Sequence, residues 1–186
     1  MAEMSMREGY GRALAQYAAI NPKVVAVDVD TSASTLSNFF AKEFPQRFFN
    51  VGIAEPCAVD VGVGLALGGF IPFVNAFAAL LALRSLEQIR TCVCYANTNV
   101  KIAASYAGLS DFKDGPTHFA VTDIANMRAL PNMTVICPGD PIEVRRGERG
   151  IHALAALEVA RELARLRADQ PDVVLEPLVG ARLRRA

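Results

Sequence analysis

A glutamate at the start of a predicted helix and an aromatic residue at the end of a predicted strand are the first candidates for chemistry. Glu55 follows the turn formed by residues 52–54 and opens the helix. A carboxylate in a first helical turn stabilises the helix dipole, which explains the residue without a further role. The stretch 61–83 carries no charged residue, and burial beside it would favour a neutral carboxyl that shares a proton with a ligand nitrogen. Phe77 is either a core residue or a platform for a flat ring.

A polar loop over residues 106–119 is the second candidate, because long loops at strand ends are often functional. Asp114 and His118 lie in its second half, and His118 is one of only two histidines in the chain. A turn aspartate and a surface histidine would account for both residues structurally. Groups for acid–base chemistry nevertheless collect at strand ends, so we predict that this loop is functional.

Other familiar sequence motifs are absent. The chain contains no P-loop, no G-x-G-x-x-G turn, no H-E-x-x-H motif and no G-x-S-x-G elbow. Cys92 and Cys94 are two residues apart on a predicted helix and therefore make a poor metal pair. Gly62 and Gly64 lie within an apolar helical run, which indicates close helix packing. We assign no metal ligands to this chain.

The composition indicates a globular enzyme or enzyme subunit. The 186 residues are 52% hydrophobic and 20% charged, which argues against disorder. The formal net charge is +0 and the isoelectric point is about 6.7, so no overall field would recruit nucleic acid or an anionic membrane. The four cysteines lack paired C-x-x-C spacing. With no signal peptide recognised, a reduced, cytoplasmic compartment is expected.

The uncharged stretch 61–83 is long enough to span a bilayer. Gly68, Gly69 and Pro72 interrupt it, however, and a spanning helix broken there would leave backbone groups facing lipid. A helix, a turn, a buried strand and a second helix explain the same residues without a membrane. A continuous apolar run is typical of a buried parallel strand.

Helical and strand patterns alternate along the chain, which predicts an α/β fold with a mostly parallel sheet and helices on both faces. Ligands in such folds bind beyond the carboxyl ends of the strands. The predicted strands cover residues 24–27, 48–51, 71–75, 101–105 and 134–137, and the first of them leads into Asp28 and Asp30. The predicted helices cover residues 7–20, 35–43, 55–67, 77–96 and 121–129.

The composition changes abruptly near residue 143, which predicts a domain over 1–143 followed by a basic helical tail over 144–186. Nine of the fifteen arginines lie in residues 145–186, whereas all four lysines lie at or before Lys113. Residues 151–167 have the pattern of an amphipathic helix. Such a helix would be solvated or packed on the domain or a partner. A non-native or truncated end is the alternative interpretation.

Five segments in a fixed order give the chain a family resemblance. It resembles the pyrimidine-binding (middle) domain of transketolases, and most of all the small C-terminal subunit of split transketolases. The resemblance extends from about Arg7 to Asp140. The five segments that carry it are residues 28–30, 49–55, 71–77, 114–118 and 127–133.

The resemblance implies a thiamine diphosphate-dependent transferase that moves a two-carbon ketol unit between sugar phosphates. Glu55 matches the family glutamate that hydrogen-bonds the pyrimidine nitrogen N1′ and activates the cofactor. Phe77 matches the aromatic residue that stacks on the pyrimidine. Asp30 matches an acidic residue near the thiazolium ring. The cofactor performs this chemistry, and the protein supplies position and electrostatics.

The resemblance also implies a substrate channel. Asp114 and His118 match residues that contact sugar hydroxyls, and His118 is also expected to be catalytic. Arg7 and Ser34 match positions that bind the sugar phosphate, where an arginine gives bidentate geometry. Tyr106 stands where the family commonly has a histidine, which puts the identity of the donor sugar in question.

The family's diphosphate-binding domain, with its Gly-Asp-Gly metal motif, is not found in this chain. The resemblance therefore implies a larger partner subunit that holds the diphosphate and Mg²⁺, in an assembly that also self-associates. Two alternatives remain open. One is another thiamine diphosphate enzyme subunit, of the 2-oxo acid dehydrogenase β or deoxyxylulose-phosphate synthase type. The other is a truncated domain that pairs without turning over.

Overall fold

Helices and strands alternate along the part of the chain that the structure describes. The structure is a computed structural model that describes residues 4–150 and 155–156, with side chains for residues 4–145. The helices are α1 (Met6–Ile20), α2 (Ser32–Thr35), α3 (Asn38–Glu43), α4 (Glu55–Leu67), α5 (Ala78–Arg84), α6 (Leu86–Gln88), α7 (Asp123–Arg128) and α8 (Pro141–Gly150). The strands are β1 (Val24–Asp28), β2 (Phe48–Asn50), β3 (Ile71–Phe77), β4 (Lys101–Ser105), β5 (Val135–Ile136) and β6 (Ala155–Ala156).

The strands form one six-stranded sheet in the order β2-β1-β3-β4-β6-β5, and every neighbouring pair is parallel. In the centre, Asp28 of β1 lies beside Asn75 of β3, and Phe77 of β3 lies beside Ser105 of β4. The carboxyl ends of these three strands therefore meet at one edge of the sheet.

Alternate residues of the central strands enter two separate apolar clusters. Val24 and Ala26 of β1 pack with α1 and α3 on one face. Val27 packs on the other face with α4, α5 and α7. A strand covered on both faces must be apolar at every position, and all five residues of β1 are buried. The predicted parallel sheet with helices on both faces is confirmed.

A buried asparagine joins β1, β3 and α1. The Asn75 Nδ2 donates to the carbonyl oxygens of Val27 and Phe73, at 2.9 Å each. Its Oδ1 accepts a hydrogen bond from the Tyr10 hydroxyl. These bonds satisfy a polar side chain that is fully buried, because an unpaired amide would be costly there.

Close helix packing, which the sequence predicted for Gly62 and Gly64, is confirmed at the first of them only. A Cβ on Gly62 would lie 2.8 Å from the Val74 Cγ2 of β3, so α4 can approach the sheet only with glycine there. A Cβ on Gly64 would meet nothing within 4 Å.

Two of the predicted helices are interrupted. The predicted helix over 35–43 is wrong at its start, because Leu36 has a φ of 62° and separates α2 from α3. The predicted helix over 77–96 is broken at Ser85 and continues as a π-helix over Ile89–Tyr95. An apolar pattern predicts a helical face but does not distinguish the wider π turn from the α turn.

The predicted amphipathic helix over 151–167 is wrong at the two of its residues that the structure describes. Ala155 and Ala156 form β6, whose backbone pairs with Ile102 of β4 and with β5. The pairing with two strands determines their conformation, and helical periodicity does not reveal such partners. The rest of that segment lies outside the described residues, and the proposed boundary at residue 143 stays a prediction.

Within the described part of the chain, no helix is both long enough and apolar enough to cross a membrane. The stretch 61–83 divides between α4, β3 and α5, as predicted. Gly69, with a φ of 87°, forms the turn between α4 and β3, in a conformation that glycine adopts without steric cost.

Candidate active site at the carboxyl edge of the sheet

The predicted site residues gather where the central strands end. Asp30 follows β1, Phe77 ends β3 and Tyr106 follows β4. Asp30 and Tyr106 have φ values of 69° and 60°, so the chain turns sharply after each strand. In parallel α/β folds this edge is where ligands bind.

Glu55 is a deeply buried acidic residue of the site. It is the first residue of α4, and only 2% of it is exposed. The Arg84 Nη1 donates to its Oε1 and Oε2, at 3.1 and 3.2 Å. The Arg84 side chain is 52% exposed, so the ion pair joins a buried carboxylate to a cation at the surface. Sequence reasoning missed Arg84, although it is the first charged residue after the stretch 61–83.

Three rings make an aromatic wall at the same edge. The rings of Phe77 and Tyr106 are 4.9 Å apart and inclined at 65°. The rings of Phe77 and His118 are 5.9 Å apart and inclined at 63°. Both contacts are edge-to-face, which is the favourable arrangement for aromatic pairs. The structure thus brings together three residues that the sequence assigned to cofactor and substrate.

Arg7 of α1 joins this wall to the loop after β1. Its Nη1 donates to the Ser34 carbonyl oxygen at 2.7 Å and to the Tyr106 hydroxyl. Its guanidinium carbon also lies 4.5 Å from the centre of the Tyr106 ring, a cation–π distance. The two residues predicted to bind the phosphate, Arg7 and Ser34, are therefore in contact through the backbone carbonyl of Ser34, and Arg7 also contacts Tyr106.

Asp28, which was not among the predicted site residues, holds the loop that carries Ser34. The Ser37 Oγ donates to the Asp28 Oδ2 at 2.8 Å, and the Thr31 amide donates to the Oδ1 at 2.7 Å. Burial raises the pKa of the Asp28 carboxyl, because desolvation outweighs the hydrogen bonds that would lower it. The hydroxyl-rich segment 31–37 that follows β1 is the sequence signal that could have indicated this network.

Asp30 is linked through Asn50 to the turn that precedes Glu55. Its backbone amide donates to the Asn50 Oδ1 at 3.0 Å, and the Asn50 Nδ2 donates to the Asp30 Oδ1 at 3.2 Å. The same Asn50 Oδ1 accepts from the Gly52 amide at 3.0 Å. Asn50 thus connects Asp30 to the turn before α4. Among the hydrogen bonds of residues 4–145, none joins Asp30 to Arg7 or Tyr106.

The loop after β4 carries a third residue that the sequence analysis did not single out. Asp111 is buried, with only 7% of the residue exposed. Burial raises the pKa of the Asp111 carboxyl, and the charge of Asp114 raises it further, whereas His118 and Arg7 lower it. The Thr117 Oγ1 lies 3.0 Å from the His118 Nδ1. The loop therefore presents carboxyl, imidazole and hydroxyl groups together.

The residues with described side chains include no group of three or more histidine, cysteine or acidic side chains arranged to hold a metal ion. The arrangement combines a buried carboxyl, a wall of three rings, and a guanidinium with neighbouring polar groups at one edge of the sheet.

Family comparison identifies that domain. Residues 2–150 match the family described as the transketolase pyrimidine-binding domain, and the chain belongs to this family. The resemblance inferred from its motifs is thereby confirmed. Membership implies a thiamine diphosphate-dependent class of protein.

Individual relatives agree with the family. A Methanocaldococcus jannaschii protein described as a candidate transketolase C-terminal section is 45% identical over 135 residues, which cover 73% of this chain and 43% of the relative. A 1-deoxy-D-xylulose-5-phosphate synthase of Carboxydothermus hydrogenoformans is 37% identical over 143 residues, covering 77% and 23%. A solved split-gene transketolase, described as an inactive β4 tetramer, is 46% identical with a TM-score of 0.68, covering 77% and 46%. The chain spans less than half the length of each.

The residues present fit the pyrimidine part of thiamine diphosphate. A buried carboxyl suits a ring nitrogen that carries or accepts a proton, and Glu55 is such a carboxyl. Its described partner, Arg84, reaches it from the surface. An exposed aromatic edge suits a flat heterocycle, and Phe77 is only partly buried. The donor set therefore has the chemistry that the cofactor requires.

Proposed function

We propose that this chain supplies the pyrimidine-binding half of a thiamine diphosphate-dependent transketolase, which moves a two-carbon ketol unit between sugar phosphates. The observation that carries the proposal is the burial of Glu55 at the first residue of α4, at the ligand-binding edge of a parallel sheet. A carboxyl removed from water is suited to exchange a proton with a ring nitrogen.

Glu55 is proposed to hold a proton at the pyrimidine nitrogen N1′. When bound, thiamine diphosphate supplies the carbon nucleophile and the electron sink for ketol transfer. Phe77 would orient the pyrimidine by stacking, and Asp30 would lie on the thiazolium side. The Asn50 bridge supports that placement, because it links Asp30 to the turn before Glu55.

The substrate is proposed to lie along the wall formed by Tyr106 and His118. Arg7 and the Ser34 segment would bind the phosphate, because a guanidinium is the side chain best suited to a phosphate group. Asp114 and His118 would contact sugar hydroxyls, with His118 also transferring protons. The contacts of Arg7 with Ser34 and Tyr106 support a single anion-binding group here.

A larger subunit carrying the diphosphate-binding domain is the proposed partner, and it would hold Mg²⁺ and the diphosphate. The descriptions of two relatives support this, because one is a transketolase C-terminal section and the other is a split-gene transketolase. The tetrameric description of the split-gene transketolase supports self-association. All four cysteines are free thiols, which fits the proposed cytoplasmic location.

The synthase relative keeps a second candidate open, in which the donor is a 2-oxo acid. The two functions differ in the first substrate. A sugar phosphate that delivers a ketol unit supports the transketolase, whereas decarboxylation of pyruvate supports the synthase.

The decisive experiment is co-expression with the large subunit of a split transketolase, followed by calorimetric titration of thiamine diphosphate with Mg²⁺. Tight binding by the mixture alone, together with ketol transfer from a ketose phosphate, is the expected result. The chain alone and the Glu55→Gln variant in the mixture are the controls. A folded mixture that binds no cofactor would overturn the proposal.

A further inference from the structure

Arg84 occupies the carboxyl group on which the proposed function depends. Its Nη1 donates to both oxygens of Glu55, at 3.1 and 3.2 Å, so one nitrogen covers the whole carboxylate. Glu55 is almost fully buried, whereas the Arg84 side chain is half exposed. The guanidinium therefore lies on the solvent side of the buried carboxyl.

A single nitrogen attaches the Arg84 guanidinium to this position. Guanidinium and carboxylate groups bind most tightly through two parallel hydrogen bonds from two different nitrogens. Arg84 uses Nη1 alone, and its Nε and Nη2 donate to no acceptor among the residues with described side chains. Water solvates a half-exposed cation when such a pair opens, so the pair is easily replaced.

Arg47 shows how the same fold holds an arginine that has a structural role. Its terminal nitrogens donate to three backbone carbonyl oxygens, those of Ala18, Asn21 and Val24. Its guanidinium carbon also lies 4.1 Å from the centre of the Phe44 ring. In the described part of the chain, Arg84 has neither a second acceptor nor a ring contact of this kind. It can therefore leave Glu55 without breaking another such contact.

A ring nitrogen that pairs with Glu55 needs an oxygen that Arg84 now covers. Both oxygens accept from the guanidinium, and the surrounding protein leaves almost none of Glu55 exposed. The ligand and the guanidinium thus compete for one carboxyl group. Displacement moves the guanidinium further into water, where its charge is well solvated.

We propose that Arg84 occupies the Glu55 carboxyl in the chain without cofactor, leaves it when the pyrimidine binds, and so limits how tightly the cofactor is held. The inference rests on the proposed function, because it takes Glu55 as the partner of the pyrimidine nitrogen N1′. The buried carboxyl, the single-nitrogen contact and the half-exposed arginine carry it.

The affinity for the cofactor then depends on the fraction of molecules in which Glu55 is free of Arg84. The apparent Kd equals the intrinsic Kd divided by that fraction. If Arg84 occupies the carboxyl in about nine of ten molecules, the apparent Kd is raised about tenfold. An uncharged side chain at this position should remove the effect, whereas a lysine should retain much of it.

The first test is calorimetric titration of thiamine diphosphate with Mg²⁺ into the complex with the large subunit of a split transketolase. Arg84→Leu should lower the Kd about five- to tenfold. Arg84→Lys keeps a cation and should stay closer to wild type than to Arg84→Leu. Arg90→Leu removes an arginine that pairs with Glu87 at the surface and should leave the Kd unchanged.

Equal or weaker cofactor binding by Arg84→Leu would overturn the proposal, because Arg84 would then be neutral or would support Glu55 in the loaded state. A complex in which neither wild type nor Arg84→Leu binds cofactor would instead count against the proposed function.

The second test repeats the titration at increasing salt concentration. Salt screens an ion pair that has an exposed partner, so the Kd of wild type should approach that of Arg84→Leu. Salt also weakens the binding of the diphosphate, but this effect is common to both proteins and cancels in the ratio of their Kd values. A ratio that does not change with salt would show that the substitution acts through packing and would overturn the proposal.

The third test needs neither cofactor nor partner. NMR of the whole chain labelled with ¹⁵N in its arginine side chains observes the Arg84 guanidinium directly. Its signal should shift in Glu55→Gln, which removes the charge that it contacts. Asp60→Asn alters an exposed carboxyl of α4 and should leave the signal unchanged. An Arg84 signal that is the same in wild type and Glu55→Gln would overturn the proposal, whatever the complex binds.

Discussion

Both carboxylate oxygens of Glu55 accept hydrogen bonds from a single nitrogen of Arg84, at 3.1 and 3.2 Å. One partner is almost fully buried and the other is half exposed. Water can solvate the Arg84 guanidinium when it moves away from Glu55. Displacing Arg84 therefore costs less free energy than breaking a fully buried ion pair. The arrangement lets a ligand nitrogen compete with Arg84 for the carboxyl of Glu55.

Glu55→Gln should abolish turnover and preserve the fold. The amide oxygen can still accept from Arg84, but the side chain can no longer exchange a proton with a ring nitrogen. We expect a loss of at least about 100-fold in kcat, the usual scale for a missing acid–base group. Activity of the co-expressed complex and the thermal unfolding of the chain measure the two effects. Wild-type turnover by the variant would exclude the assigned role.

Arg84→Leu should destabilise the chain by about 1–2 kcal/mol, because it leaves a buried carboxylate without its cation. The loss is less than for a fully buried pair, since Arg84 is half exposed. Urea unfolding of the whole chain at neutral pH measures it. Arg90→Leu is the matched control, because Arg90 pairs with Glu87 at the surface, where such pairs contribute about 0–1 kcal/mol. Equal losses in the two variants would contradict the prediction.

Gly62→Ala should lower the free energy of unfolding by about 1–3 kcal/mol, the usual cost of overpacking. The new methyl group would lie 2.8 Å from the Val74 Cγ2. Gly64→Ala, two residues further along α4, meets open space and should stabilise by roughly 0.5–1 kcal/mol through helix propensity. Opposite signs for the two variants are the expected result of urea unfolding.

Asp123→Asn should change how stability depends on pH. Burial raises the pKa of the Asp123 carboxyl, so the folded chain binds this proton more tightly than the unfolded chain. The free energy of unfolding therefore falls as pH rises from about 3.8 through the raised value. Asparagine keeps the oxygen that accepts from the Ile124 amide and removes the titration. Wild type should lose stability relative to the variant over that rise, and parallel pH curves would disprove this.

Arg7→Leu should raise the KM of a phosphorylated ketose about 10–100-fold, equivalent to roughly 1.5–3 kcal/mol for a hydrogen bond to a charged group. An unphosphorylated ketose should be affected much less. Steady-state kinetics of the assembled enzyme with both donors measures the difference. Arg12→Leu alters the same helix at a residue that pairs with Glu8 and should change neither KM. An equal effect of Arg7→Leu on both donors would show that Arg7 does not bind the phosphate group.

The sequence predicted the parts of the site that local pattern determines. Glu55 and Phe77 lie at the boundary of a strand or turn with a helix, and such boundaries follow from apolar runs, glycine and proline. Once a parallel sheet is predicted, its strand ends are expected to lie at one edge, although they are distant in the sequence. Arg7 and Tyr106 came from the family resemblance, and the structure places them in contact.

The residues that were missed depend on geometry that no local pattern reveals. Arg84 reaches Glu55 across 29 positions of sequence, from the last residue of a helix that breaks at Ser85. Asp111 becomes buried through the path of a loop without regular structure. Leu36 adopts a left-handed conformation that an apolar residue rarely takes. Each is a consequence of tertiary packing overriding local preference.

The asparagine buried between β1 and β3 also selects the alignment of those strands during folding. Shifting β3 by one residue would turn Asn75 toward the aliphatic cluster on the opposite face and leave its amide without the Val27 carbonyl. A shifted register between β1 and β3 therefore costs free energy. These are the two strands whose carboxyl ends lead to Asp30 and Phe77. The buried amide of Asn75 thus fixes the relative positions of Asp30 and Phe77 when the chain folds, before a ligand binds.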